Sequence, residues 1–182
     1  MSDLLEKLQI EVSSYQESFQ LLSKARNLKE LARSFFHTVS GNLMVTKINI
    51  YFKHKQDDDW QPLLVKDNTF DFQACTRLRK DKINYLDDAH TCLYLTLSMV
   101  DGSSFALMLG RKLGKKAYDE FDQITIQRLG ILLDNAYQVY LNKKKEKDLI
   151  FSLNQRVLQL NSLVDTGIEI SRLDHEIGRA HV

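Results

Sequence analysis

The chain has 182 residues, 43% of them hydrophobic, with 25 Lys and Arg against 24 Asp and Glu and a formal net charge of +1. This composition supports a domain with a hydrophobic core plus extended helices, and it excludes collagen-like and low-complexity chains because there are seven glycines and one proline. The balanced charge argues against nucleic acid as a partner, and the lack of an apolar run of roughly 20 residues and of a signal peptide predicts a cytoplasmic protein without membrane insertion.

The first predicted element is an amphipathic helix within residues 1–26. Its apolar residues alternate at spacings of three and four, as do the a and d positions of a coiled coil. They are Leu5, Leu8, Val12, Tyr15, Phe19 and Leu22. We predict that this helix serves dimerisation and enters a bundle completed by a second copy of the chain. The alternative, in which it packs only against its own domain, stays open.

A second helix is predicted to begin at Asn27. Asn27 and Glu30 have the pattern of an N-cap with its capping box, and an apolar stripe continues from there to the vicinity of Gly41. This helix is expected to face the core of the domain.

A β-hairpin follows the second helix. Residues Val45 to Lys53 alternate between apolar and polar side chains, and Trp60 to Lys66 is predicted as the partner strand, with Pro62 favouring a sheet edge. The three aspartates at 57–59 form the turn, and we predict no metal site there because consecutive side chains project in different directions.

Residues 67–90 show no sustained period and are predicted to form a cap with one short helix. Beyond the cap, Leu93 to Val100 and Phe105 to Leu109 both alternate, and Asp101-Gly102 between them has the composition of a hairpin turn. We expect this second hairpin to lie at the centre of the sheet.

The predicted strands share one apolar face and one mixed face. Helices are expected on the apolar face, whereas the mixed face lies either under the cap, forming a pocket, or in water, and the pattern leaves both open. The candidate pocket residues are Lys47, Asn49, Tyr51, Phe70, Arg77, Tyr94, Thr96, Ser98 and Met108. Because Lys47 and Arg77 are cationic, we predict that they bracket a small anionic ligand; the alternative is a solvated basic surface.

A long helix is predicted from Ala117 to Leu173, uninterrupted by proline. Its first part is expected to face the core through Phe121, Ile124, Leu129, Leu132, Leu133 and Ala136. After the charged run at 143–145, a second coiled-coil seam follows, consisting of Ile150, Leu153, Val157, Leu160 and Val164. We predict a signalling helix over residues 141–175 and a parallel homodimer held by the two seams.

The run LYLTLSMVDGSSFALMLGRKLGKKAYDEFDQITIQRLGILLDNAYQVY resembles the C-terminal half of a GAF domain, in which two strands, a Leu-Gly and a basic connection lead into a long helix. The resemblance implies an α+β fold over residues 27–140: an antiparallel sheet with helices on one face, a ligand pocket on the other, and long terminal coiled-coil helices. The Asn-Lys-x-Phe signature of cyclic-nucleotide-binding members is absent, and Cys75 and Cys92 lack the following histidine of bilin-binding members. The cofactor is left open.

These features predict a non-catalytic sensory module of a bacterial signalling protein whose output domain lies beyond the chain. Alternatives are a fragment of a sensor histidine kinase, suggested by His175-Glu176-Ile177, or of a regulated serine phosphatase or cyclase. A stand-alone redox enzyme using Cys75 or Cys92 and an interaction module with a vestigial pocket are also left open. Residues 176–182 are expected to be a non-native tail, because Ile177 to Val182 resembles a translated sequencing adapter.

Overall fold

The computed structural model of the chain describes residues 2–75, 82–114 and 116–180. Its helices are α1 (Ser2–Ser23), α2 (Leu28–Leu43), α3 (Phe72–Cys75) and α4 (Glu120–Ala180). Its strands are β1 (Ile48–Lys53), β2 (Gln61–Val65), β3 (Asn84–Tyr85), β4 (Leu93–Ser98) and β5 (Ser104–Leu109). The chain divides into two units, Met1–Tyr140 and Leu141–Val182. Within the described residues, none of the helices combines the length and the hydropathy needed to cross a bilayer.

The five strands form one sheet in the order β2-β1-β5-β4-β3, and each neighbouring pair is antiparallel. Both predicted hairpins are confirmed, and β2, which contains Pro62, occupies an edge as expected. The opposite edge is β3, which the sequence did not predict because a strand of two residues has no visible period. Together the sheet and helices make an α+β fold.

The predicted apolar face of the sheet is the core of the unit Met1–Tyr140. Its side chains are buried, apart from the half-buried Leu97, and they include Ile48, Ile50, Phe52, Leu93, Leu95, Phe105, Leu107 and Leu109. Helix α4 packs against this face. A Cβ on Gly130 would lie 3.0 Å from Leu97 Cδ2, so the helix approaches the strand at a position that only glycine fills without adjustment.

Helix α2 begins as the sequence predicts. Asn27 Oδ1 accepts a hydrogen bond from the Glu30 amide at 2.9 Å, and the Glu30 carboxylate accepts from the Arg26 amide at 2.9 Å. The helix ends at Leu43, two residues beyond Gly41, where Met44 takes the left-handed conformation of a C-cap.

The predicted core face of α4 is partly wrong. Leu129, Leu133 and Ala136 are buried, but Phe121 is 69% and Ile124 47% exposed. At about 100° per residue, Phe121 lies about 80° and Ile124 about 140° from Leu129 around the helix, so they belong to another face. The residue that turns inward in this first stretch is Asp122, which is 7% exposed.

Helix α1 packs into its own unit at its C-terminal end. Leu22 is fully buried within the chain, Tyr15 and Phe19 are half-buried, and Val12 is exposed. Leu22 is therefore a core residue of its own domain and does not present a surface to a second copy. The side chains of Leu5 and Leu8 lie outside the described part of the structure.

Candidate functional site

The mixed face of the sheet is covered in part by α3. The Phe72 ring stacks on Tyr51 with centroids 3.8 Å apart and meets Trp60 edge-on at 5.8 Å. Between this cover and the sheet lies a second, smaller core, made of Cys75 from α3 and of Tyr94, Ala106 and Met108 from the sheet. Over this part of the sheet the mixed face is capped and not solvated, the first of the two arrangements that the strand pattern allowed.

Two of the predicted pocket residues, Tyr94 and Met108, belong to this small core, and two others, Tyr51 and Phe70, pack against it. Burial raises the pKa of Tyr94 to about 12, which reflects how little water reaches its hydroxyl. These four side chains act mainly by filling the space under the cap, although Tyr94 also borders the opening described below.

Asn49, another predicted pocket residue, fastens the segment after β2 to β1. Its Oδ1 accepts from the amides of Lys66 at 2.8 Å and Asp67 at 3.0 Å, while its Nδ2 donates to the Asp67 carbonyl at 2.6 Å. The side chain is 1% exposed, and both its oxygen and its nitrogen are hydrogen-bonded to backbone groups of this segment. Its role is structural.

Lys47 is placed beside the same segment. Its Nζ lies 3.0 Å from Asp67 Oδ2, so its charge is already balanced by a carboxylate. An anionic ligand at Lys47 would compete with Asp67. Arg77 lies outside the described residues, and its convergence with Lys47 on a ligand stays a prediction.

The open part of the mixed face is a groove of about 870 Å³, which we call the mixed-face groove. The sheet contributes polar groups to it, and the cap and the β1–β2 turn supply aromatic and charged groups. Its lining comprises Lys53, His54, Lys55, Asp58, Asp59, Trp60, Phe72, Gln73, Tyr94, Thr96, Ser98, Gly102 and Ser104. Thus the predicted residues Thr96 and Ser98 do meet in a cavity, but with partners that the sequence pattern had not assigned to it.

Three of the missed lining residues, Ser104, Trp60 and Phe72, illustrate two reasons why the sequence did not assign them to the groove. Ser104 faces the same side of the sheet as Ser98 because the two are directly paired across β4 and β5, a register that the turn at Asp101-Gly102 fixes. Trp60 and Phe72 sit on segments without a sustained period, and nothing local in the sequence places them over the sheet.

Comparison with known proteins supports the fold. No family model and no curated protein matches the chain. Among solved structures, the GAF domain of a protein described as a sensor histidine kinase, from Pseudomonas syringae pv. tomato, matches with a TM-score of 0.53 and 13% identity, covering 83% of this chain and 98% of that one. The fold is GAF-like. The N-acylhomoserine lactone dependent LuxR-family transcription factor CepR2 from Burkholderia cenocepacia gives a TM-score of 0.49 and 11% identity over 75% of this chain and 99% of that one.

The GAF-like domain keeps its first cysteine in an unreactive setting. Cys75 is buried in the small core, and burial, together with the nearby Asp71 carboxylate, raises the pKa of its thiol. Cys92 is half-buried and its amide donates to Asp87 Oδ1 at 2.9 Å. Within the described residues, no three His, Cys, Asp or Glu side chains gather as metal ligands would.

The Asp67 carboxylate is expected to make the free energy of unfolding of the GAF-like domain depend on pH in the acidic range. Hydrogen bonds from the Thr69 hydroxyl and amide, followed by Lys47, lower its pKa to about 2 from the ordinary 3.8. A folded-state pKa below the unfolded one contributes stability above the unfolded pKa, and this contribution is lost as the pH falls from about 5 to about 2. Asp67→Asn should therefore cost up to about 2.5 kcal/mol at pH 7.

The measurement is denaturant unfolding of wild type and Asp67→Asn at several pH values. The difference in the free energy of unfolding should shrink towards zero as the pH approaches about 2, because the wild-type carboxyl is then protonated as well. The exposed Asp57→Asn serves as the control and should follow wild type. A difference that is the same at pH 7 and pH 2 contradicts the assignment.

Proposed function

We propose that the chain is a sensory module that binds a small molecule in the mixed-face groove and relays its occupancy through α4. The observation that carries the proposal is the groove: an open volume of about 870 Å³ beside a sheet face that aromatic side chains otherwise close. Trp60, Phe72 and Tyr94 give it flat apolar surface, and the sheet strands add hydroxyl groups. This lining suits a small ligand with a planar part and several hydrogen-bonding groups.

The ligand is proposed to carry an anionic group. Lys53 and Lys55 border the groove, while Asp58 and Asp59 on the same turn limit the total negative charge that it accepts. Because Lys53 Nζ also donates to the Asp58 carbonyl at 2.9 Å, Lys55 is proposed as the lysine that contacts the anionic group.

The test is a thermal-shift screen with nucleotides, small carboxylates and haem, followed by calorimetry with the compounds that stabilise the chain. Ser104→Trp should fill the groove and weaken binding at least about tenfold, a loss of about 1.4 kcal/mol. Val100→Trp places the same side chain at an exposed position outside the groove and should leave binding unchanged. No stabilisation of wild type at millimolar ligand, or equal binding by both variants, would reject this function.

The relay is proposed to act in a parallel homodimer. In the unit Leu141–Val182, the apolar residues Ile150, Leu153, Val157, Leu160 and Val164, here called the α4 seam, are each 51–61% exposed within one chain. Five apolar side chains at alternating spacings of three and four are typical of a helix that pairs with a copy of itself. On α1, in the other unit, the exposed Val12 and the half-buried Tyr15 and Phe19 are proposed to contact a second copy of the chain.

Catalysis is proposed to lie in an output domain beyond this chain. The buried Cys75, with its raised thiol pKa, argues against a stand-alone redox enzyme, because the thiolate is the nucleophile in such chemistry. A histidine kinase, a serine phosphatase or a cyclase remain the proposed outputs. The GAF domain that shares the fold belongs to a protein described as a sensor histidine kinase, which supports a signalling setting.

A further inference from the structure

The turn between β4 and β5 is hydrogen-bonded to α4 through one carboxylate. Asp101 Oδ1 accepts from the Ser103 amide at 2.9 Å and from the Ser103 hydroxyl at 2.5 Å, and Asp101 Oδ2 accepts from the Tyr137 hydroxyl at 2.9 Å. The hydroxyls of Ser103 and Tyr137 are themselves 3.0 Å apart. These three side chains, which we call the turn–helix cluster, join parts of the chain 34 to 36 residues apart.

The turn–helix cluster is built to hold one geometry. Ser103 is 1% and Tyr137 2% exposed. Burial alone would raise the pKa of Asp101, but hydrogen bonds from Ser103 and Tyr137 hold it below its ordinary value, so the carboxylate is charged at neutral pH and its hydrogen bonds are charge-assisted. The Tyr137 ring packs independently against Phe105 at 5.4 Å and Phe52 at 5.9 Å.

The same turn borders the mixed-face groove. Gly102 lines the groove and lies between the two residues that bond to Tyr137. Its φ of +85° and the hydrogen bond from its amide to the Met99 carbonyl fix the turn. A Cβ on Gly102 would lie 3.0 Å from Cδ of Lys55, which also lines the groove. A group in the groove that pushed on Gly102 would therefore act on Asp101 and Ser103, its two neighbours in the turn.

We propose that the turn–helix cluster couples occupancy of the mixed-face groove to α4, with the Tyr137 hydroxyl as the positioning group. The inference rests on the proposed ligand-sensing function. Tyr137 lies at the C-terminal end of the unit Met1–Tyr140, whereas two other contacts with α4, Lys112 to Asp122 and Tyr85 to Gln123, lie at the start of that helix. The cluster is thus placed to act on the last turn of α4 in this unit.

The experiment uses a thiol adduct in place of the unidentified ligand. Ser98→Cys, in a Cys92→Ser background, is modified with N-phenylmaleimide so that an aromatic group occupies the groove, and the unmodified protein is the reference. Hydrogen exchange is followed at the amides of residues 138–148. Occupancy should change their exchange rate by at least about threefold, because it shifts local opening of the helix.

Three variants decide whether the hydroxyl carries this change. Tyr137→Phe keeps the ring contacts and should abolish the response, whereas Asp101→Asn, whose amide can still donate to the Tyr137 oxygen, should retain part of it. Tyr118→Phe is the matched control, because it removes another buried tyrosine hydroxyl. That hydroxyl lies outside the groove and donates to the Gly110 carbonyl at 2.7 Å, so the variant should respond as wild type does.

A response of equal size in Tyr137→Phe overturns the proposal, and so does the absence of any response in the chain with an intact cluster. Near-ultraviolet circular dichroism establishes that Tyr137→Phe is folded; should it unfold, Asp101→Ala replaces it with the same expectation. Because the adduct supplies occupancy directly, a failed ligand screen leaves this result standing, and the two failures are distinguishable.

Discussion

A chain carrying Leu153→Asp and Leu160→Asp is expected to be monomeric at micromolar concentration, where the unchanged chain is expected to be a dimer. The two leucines are 51% and 61% exposed in a single chain. In a parallel pair of helices each would face the same residue of the other copy, so the double substitution would bring four carboxylates into the seam. Burying unpaired charges, or forcing like charges together, costs more free energy than the apolar contacts of the seam contribute.

Sedimentation equilibrium measures this change directly. The matched control is Phe151→Asp with Leu158→Asp, which alters two residues of similar exposure, 64% and 68%, at the same spacing but one position away from the seam. The control should remain a dimer. An unchanged dimer in the Leu153 and Leu160 variant would remove the α4 seam from the interface, and equal dissociation of both variants would show that the seam is assigned to the wrong face.

The secondary structure was largely predictable because its signals are local. Alternation of side chains identified β1, β4 and β5 within a few residues, β2 was predicted as the partner strand after the polar turn, and the Asp101-Gly102 turn fixed the register of β4 and β5. The cap at Asn27 is a local hydrogen bond across three residues, and it was predicted correctly.

The candidate site was predictable only in part, because its decisive contacts are distant in sequence. The spacing of Asn49 on the mixed face suggested a pocket, but its amide is used by backbone groups 17 and 18 residues away. Tyr137 was not among the residues predicted to face the core, and nothing near it in the chain indicates a partner 36 residues earlier. Side-chain hydrogen bonds of this kind leave no periodic trace.

The error on α4 has a physical cause that the sequence does contain. Apolar character alone assigned Phe121 and Ile124 to the core, although the inward position at the start of the helix belongs to a charged residue. Asp122 accepts from the Asp119 amide at 2.9 Å, while Asp119 accepts from the Asp122 amide at 2.9 Å, which is a capping box with two aspartates. A buried acidic residue such as Asp122 does not fit a helix pattern based on hydrophobicity alone, and its charge needs a cation nearby.

That cation is Lys112, and its removal should be the most destabilising single change in this region. Lys112 Nζ lies 2.6 Å from Asp122 Oδ2, and the two side chains are only 16% and 10% exposed. Lys112→Met keeps the length of the side chain but leaves the Asp122 charge buried without its partner. Such a loss costs about 3 to 5 kcal/mol, much more than an exposed ion pair.

Urea unfolding of a double-mutant cycle tests this account. Asp122→Asn retains an acceptor for the Asp119 amide but removes the charge, so Lys112→Met combined with Asp122→Asn should be more stable than Lys112→Met alone. The coupling between the two positions should exceed about 1 kcal/mol. Lys116→Met, at an exposed lysine of the same connection, should change little. Purely additive losses at 112 and 122 would mean that the pair does not act as a unit, and that packing alone holds the start of α4 against the connection from β5.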